Sequence, residues 1–107
     1  MDKVIGGIGL LNIERKSHHA GIGYWLGRSY WGHNYATRCV RGMVRFGFER
    51  LGLQRISAIV FSPNTRSQRV LIKNGFVHEG TMRSRYILDG GRVDGEIYGL
   101  IREDLNK

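Results

Sequence analysis

A single cysteine, Cys39, and a single proline, Pro63, stand among 107 residues. One cysteine excludes a disulfide within the chain, so a reducing cytoplasm is the natural setting. With proline so scarce, punctuation falls to the sixteen glycines. No run approaches the ~18 uninterrupted apolar residues of a membrane span, and Met1–Leu10 carries no signal-peptide pattern. No membrane partner is expected. Repeats, low-complexity tracts and linkers are lacking too. His18, His19, His33 and His78 do not fall at a metal-ligand spacing, so no metal is expected. Acid is in short supply, with nine Asp and Glu against seventeen Lys and Arg, a net charge of +8. That excess favours an anionic partner: nucleic acid, an acidic membrane surface or a phosphate-rich small molecule. The cations are spread along the chain without a block of five or six, which reads as a solvated surface.

What is present fits one small globular domain, 41% apolar and 24% charged. Lys3–Ile13 reads as a strand, Glu14–His19 as a turn and Ala20–Gly27 as a second, antiparallel strand. Ala36, Val40, Met43, Gly47 and Leu51 then recur at helical spacing, with Cys39, Val44 and Phe48 widening the stripe. The helix should run over Tyr35–Leu51 and stop at Gly52, with Cys39 a small core residue. Arg55–Phe61 is a short apolar strand. Asn64 is a good N-cap for a second helix over Thr65–Asn74, which Gly75 should terminate. Phe76–Leu88 and Arg92–Ile101 form two strands around Asp89-Gly90-Gly91, which has hairpin-turn chemistry. The order β-β-α-β-α-β-β predicts an α/β (α+β) mixed sheet with helices.

Ligands in open α/β sheets bind where a strand feeds a helix. Here that loop is Arg28 to Tyr35, containing Trp31, Gly32, His33 and Asn34. The helix N-terminus behind it offers unpaired N–H groups and about half a positive charge, a natural phosphate site. Gly32 lets backbone approach a ligand, Asn34 tolerates positive φ, and Tyr35, Ala36 and Thr37 form the helix entry. A turn glycine before a helix is the plainer reading of the same residues.

The segments GIGYWLGRSYWGHNYAT, RFGFERLGLQRI, NTRSQRVLIKNGFVHEGTMR and GGRVDGEIYGLIREDL, in this order, resemble the GNAT superfamily of acyl-CoA N-acyltransferases. The likeness is strongest to the group of ribosomal-protein N-terminal and spermidine acetyltransferases. In that family a (Gln/Arg)-x-x-Gly-x-(Gly/Ala) loop cradles the acetyl-CoA pyrophosphate, and here Ser29, Gly32 and Asn34 occupy its three positions. The resemblance implies acetyl-CoA as co-substrate and a primary amine, on a protein or a small molecule, as acceptor. It implies that Trp25, Leu26, Trp31, Gly32, His33, Asn34, Tyr35, Ala36, Thr37 and Asn64 contact the cofactor. Trp25 and Leu26 would do so by backbone, in a splay between Ala20–Gly27 and Arg55–Phe61. Many relatives protonate the leaving thiolate with a tyrosine where this chain has Leu71. In the ribosomal-protein group a serine takes that role, which points to Ser67.

No general base is evident: Glu79, Asp94 and Glu96 read as hairpin or surface carboxylates, Asp94 with a structural part. Compared with the family pattern the chain is expected to be one GNAT-like domain lacking the N-terminal strand and helices. A sheet face would then lie uncovered, and self-association through it is expected. The alternatives are a CoA-binding relative without turnover and a basic nucleic-acid-binding module. For the latter the sequence offers only Tyr86 and Tyr98 near Arg83, Arg85 and Arg92, which hairpin packing explains as well, so a nucleic-acid partner is not expected.

Overall fold

A computed structural model describes residues 6–26 and 35–106. The elements are β1 (Gly6–Glu14), β2 (His19–Leu26), α1 (Tyr35–Arg50), β3 (Arg55–Phe61), α2 (Thr65–Lys73), β4 (Val77–Leu88) and β5 (Gly91–Ile101). A 3-10 turn, Arg102–Asn106, follows β5. The order β-β-α-β-α-β-β is the expected one. One five-stranded sheet runs β1-β2-β3-β5-β4. β2 and β3 are parallel, and the other three pairings are antiparallel.

Burial alternates along the central strands, as a half-covered sheet requires. Ala20 and Ile22 on β2, Ile56 and Ala58 on β3, and Tyr98 and Leu100 on β5 are all at most 5% exposed. These residues share one face and pack on Val40, Val44 and Phe48 of α1 and Val70 and Leu71 of α2. Burying each large apolar side chain contributes ~1.5–3 kcal/mol, so this one layer dominates the stability of the fold.

Two helical residues depart from expectation. Cys39 is exposed rather than in the core. At ~100° per residue it lies outside the arc centred on Val40 and Val44, which extends to Thr37 and Phe48 instead. Leu51 is 41% exposed because α1 ends one residue before it. Gly52 is the stop, with φ at +66°, and the Leu53 N–H turns back to the Gly47 carbonyl at 3.1 Å. Helix α2 ends in a Schellman motif. Gly75 has φ +88°, the Gly75 N–H reaches the Ile72 carbonyl at 3.0 Å and the Phe76 N–H the Leu71 carbonyl at 3.0 Å. Between β4 and β5, Leu88 pairs with Gly91 across Asp89 at φ +52° and Gly90 at +80°. Two consecutive positive φ values make a type I′ turn, whose twist suits a hairpin.

The opposite sheet face carries no helix among the described residues. Ile59, Met82 and Tyr86 converge there over Gly95, where a Cβ would sit 2.7 Å from the Tyr86 ring. Beside them Arg55 grips Glu79 through two bonds of 2.8 and 2.5 Å, laid across Gly99. That bond, and after it the opposite charge, hold Glu79 below the usual carboxylate range.

Candidate functional site

Strands β2 and β3 pair only through His19–Arg55, Ala20–Ile56 and Gly21–Ser57. Both then run on, to Leu26 and Phe61, and no further pairing joins them among the described residues. Meanwhile β2 keeps its other edge on β1 as far as Leu26–Gly6, and β3 keeps its other edge on β5 as far as Phe61–Gly95. The sheet is therefore held on both outer sides of a gap. Inside it, the inner edges of β2 and β3 present N–H and C=O groups without a ladder partner, and such groups call for one. An extended ligand laid in the gap can supply it.

A cleft of about 210 Å³ occupies this place, lined by Ile22 and Gly23 from β2, Ala58–Phe61 from β3, and Asn64 and Ser67 from α2. The side chains that β2 and β3 bring to it are apolar, and its polar side chains are Asn64 and Ser67. Asn64 caps α2, its Oδ1 accepting the Ser67 N–H at 3.1 Å. This fixes the first turn, in which the Thr65 N–H also bonds the Pro63 carbonyl at 2.9 Å. Ser67, 6% exposed, stands on the cleft wall in that turn. The two polar residues named from the sequence on α2, one a cap and one a serine, thus meet at one end of the gap. Leu71, where many relatives have a tyrosine, is fully buried in the core.

At the start of α1, Ala36 and Thr37 are 2% and 7% exposed, so their side chains face the sheet. What they can offer a ligand is backbone N–H. Tyr35 is half-buried, with the Arg38 guanidinium 5.0 Å above its ring. Trp25 and Leu26 are described by backbone, at the end of β2. Trp31, Gly32, His33 and Asn34 lie outside the described residues, as do Arg28, Ser29 and Tyr30 of the expected phosphate loop.

Three features of the site were invisible in the sequence. Asn74, the residue closing α2, donates from Nδ2 to the Thr37 carbonyl at 3.1 Å and to the Val70 carbonyl at 3.0 Å. It ties the entry of α1 to the end of α2. Second, the β3–α2 turn is held by a polar chain. Tyr98 donates to Gln68 Oε1 at 2.7 Å, Gln68 Nε2 donates to the Ser62 carbonyl at 2.9 Å, and the Ser62 hydroxyl donates to Glu96. Third, Glu96 also accepts from Thr81 at 2.6 Å and lies 2.7 Å from His78 Nε2. The Ser62 bond first, then Thr81 and His78, hold its carboxyl at about 2. Glu96 is therefore an anion that organises the turn carrying Asn64, not an available base. Asp94 is structural as well, its Oδ1 taking the Ser84 N–H at 2.7 Å where the β4 backbone bulges at φ +53°. Tyr86 packs on Phe61, ring to ring at 5.1 Å, and Tyr98 is buried, so neither is a free stacking platform. Among the described residues no three His, Cys, Asp or Glu side chains are grouped to hold a metal.

With this geometry in place, comparison with known proteins gives the family. Residues 1–77 match the acetyltransferase (GNAT) domain family. The chain belongs to the GNAT family. Among relatives it is 35% identical over 100 residues to the uncharacterized N-acetyltransferase YoaA of Bacillus subtilis (strain 168), covering 94% of this chain and 56% of YoaA. It is 28% identical over 100 residues to the ribosomal-protein-serine acetyltransferase of Escherichia coli (strain K12), again covering 94% and 56%. The solved ribosomal-protein-S5-alanine acetyltransferase of Vibrio fischeri superposes with a TM-score of 0.89 at 31% identity, covering 95% of this chain and 56% of that one. The chain thus spans a little over half the length of these GNAT proteins, and the half it spans contains the splayed pair and both helices.

Proposed function

We propose that the chain binds acetyl-CoA in the β2–β3 splay and serves an N-acetyltransferase whose acceptor is a primary amine, on a protein N-terminus or a small molecule. The observation that carries this reading is the three-pair register of β2 on β3 with Asn64 and Ser67 at the mouth of the gap. The pantetheine arm is an extended amide chain and fits the unpaired inner strand edges. Trp25 and Leu26 offer the backbone on the β2 side. The diphosphate goes to the N–H groups of Tyr35, Ala36 and Thr37, together with the Trp31–Asn34 segment before them.

The chemistry requires little covalent work from the protein. The neutral amine attacks the thioester carbonyl carbon, charge grows on the carbonyl oxygen, and the C–S bond breaks to give amide and thiolate. A strand N–H in the gap stabilises the oxygen, and fixed alignment of the two reactants supplies much of the rate. Ser67 delivers a proton to the departing sulfur, and the proton lost by the amine leaves to solvent. The single cysteine and the lack, among the described residues, of a helix able to cross a membrane are compatible with a cytoplasmic setting. The apolar patch of Ile59, Met82 and Tyr86 on the uncovered sheet face favours a homo-oligomer.

Thermal melting with and without acetyl-CoA tests the binding, because a ligand of the native state raises the melting point. Release of free CoA over a panel of amines tests the transfer. No shift at saturating acetyl-CoA would refute the site. A shift without amine-dependent CoA release would restrict the chain to cofactor binding.

A further inference from the structure

In the sequence the cations look dispersed, but the fold gathers them. Helices α1 and α2, of 16 and 9 residues, carry Arg38, Arg41, Arg45, Arg50, Arg66, Arg69 and Lys73 against one acid, Glu49. Seven cations and one acid leave six of the chain's eight net positive charges on these two elements. On α1, Arg38, Arg41 and Arg45 stand at i, i+3 and i+7, one stripe along the helix. On α2, Arg66, Arg69 and Lys73 repeat the same spacing. All six are exposed, because the apolar arcs of both helices face the sheet. Each stripe is ~10 Å long at 1.5 Å per residue. The bond from Asn74 to the Thr37 carbonyl brings the end of α2, next to Lys73, against the start of α1, next to Arg38. The helix ends that carry Lys73 and Arg38 are therefore neighbours. Glu49 sits 3.9 Å from Arg45 at the far end, too exposed to cancel the row.

We propose that this outer face of α1 and α2 binds duplex nucleic acid through its phosphate backbone, without reading sequence. Five of the six stripe residues are arginine, whose planar fork suits phosphate oxygens better than the ammonium of lysine. A single-strand site would interleave aromatic platforms with the cations. Here Tyr35 is half-buried, Phe48 is buried, and Phe46 is the exposed aromatic of the two helices. A membrane-surface helix needs a continuous apolar face to insert, and that face is already spent on the sheet. Phe46 and Ile72, one per helix, are the large apolar side chains left outside.

The test is fluorescence anisotropy with a labelled duplex of about 20 base pairs, titrated at several KCl concentrations. Six phosphate contacts give a slope of log K against log salt of about −5. Net charge alone is controlled by two triple variants that lose equal charge. Arg41→Gln, Arg45→Gln and Lys73→Gln remove half the track and should flatten the slope to about −3. Arg15→Gln, Arg83→Gln and Arg85→Gln lie off the helices and should leave it unchanged. Circular dichroism melts confirm that both triples fold. Equal weakening by the two triples would reduce the effect to net charge and overturn the proposal. So would binding to phosphatidylserine vesicles with none to duplex at the same salt, or complete displacement of the duplex by millimolar CoA.

Discussion

Ser67 combines three properties that its neighbours do not share: it is nearly buried, it stands in the first turn of a capped helix, and it faces the splay. General acid help by a placed side chain is worth about 10²–10⁴ in rate. Ser67→Ala is expected to lower turnover by roughly 100-fold while acetyl-CoA affinity, measured by calorimetry, changes less than about twofold. A parallel loss of affinity would make the serine a binding residue and not a proton donor. Glu96 gives a prediction that needs no activity. Its folded carboxyl titrates near 2 against an ordinary 4.5. Its contribution is thus complete above pH 4.5 and disappears as the pH falls through 2, because the unfolded chain takes up the proton first. Melting points recorded down this window should fall, and Glu96→Gln should flatten the fall. Glu79 and Glu14, also lowered, by Arg55 and by Ser17 respectively, leave a residual slope in the variant. These residue roles were unequally legible. Asn64 could be read as a cap because capping is local, needing one side chain and a helix start. The Glu96 cluster joins residues 15 to 34 positions apart, and nothing in the spacing of Ser62, His78, Thr81 and Glu96 announces that the sheet brings them together.

Elements were legible where periodicity and punctuation agreed. Strand β3 was placed at its observed bounds, and both helix stops coincide with glycines at positive φ. The face of α1 was read less well, since Cys39 was assigned to a core that instead takes Thr37. A stripe of small and apolar residues is wide, and only the contact with the sheet selects which ~100° of it is buried. Gly47 marks that contact. A Cβ there would lie 3.0 Å from the terminal methyls of Ile56 and Leu53 and 3.4 Å from Leu10. Ile56 and Leu53 are 0% and 2% exposed, so neither can move aside. Gly→Ala in a helix gains up to ~1 kcal/mol of propensity, whereas overpacking a core costs ~1–3 kcal/mol. Gly47→Ala is therefore expected to destabilise by about 1 kcal/mol in urea unfolding, the reverse of what helix propensity alone predicts. A stabilised variant would show that α1 rides further from the sheet. The splay itself could not be read from strand patterns, because β2 and β3 look like ordinary apolar strands throughout. In the sequence, the family resemblance alone implies it.

On the scale of the molecule the two sheet faces have opposite characters. Both helices and most of the net positive charge lie on one side. The other side shows Leu11 at 51% exposure on edge strand β1 and Ile59 at 49% on β3, with Met82 and Tyr86 beside Ile59. A standard interface takes ~800 Å² from each partner. Two chains meeting through their open faces would bury that apolar surface and leave both cationic helix layers outermost. With each layer on the far side of its own sheet, their repulsion is screened beyond the ~10 Å Debye length at 0.1 M salt. Self-association through this face should then depend weakly on salt, whereas phosphate binding by the helix face depends on it steeply. Sedimentation velocity over two decades of concentration is expected to show a dimer that persists at about 0.5 M KCl, where long-range repulsion is largely screened. Leu11→Lys, placing a charge on the open face, should return it to monomer without altering duplex affinity by more than about twofold. A dimer that dissolves as salt rises would mean that charged contacts and not the open sheet hold it. A monomer at every concentration would mean that the patch of Ile59, Met82 and Tyr86 is too small to drive association in water.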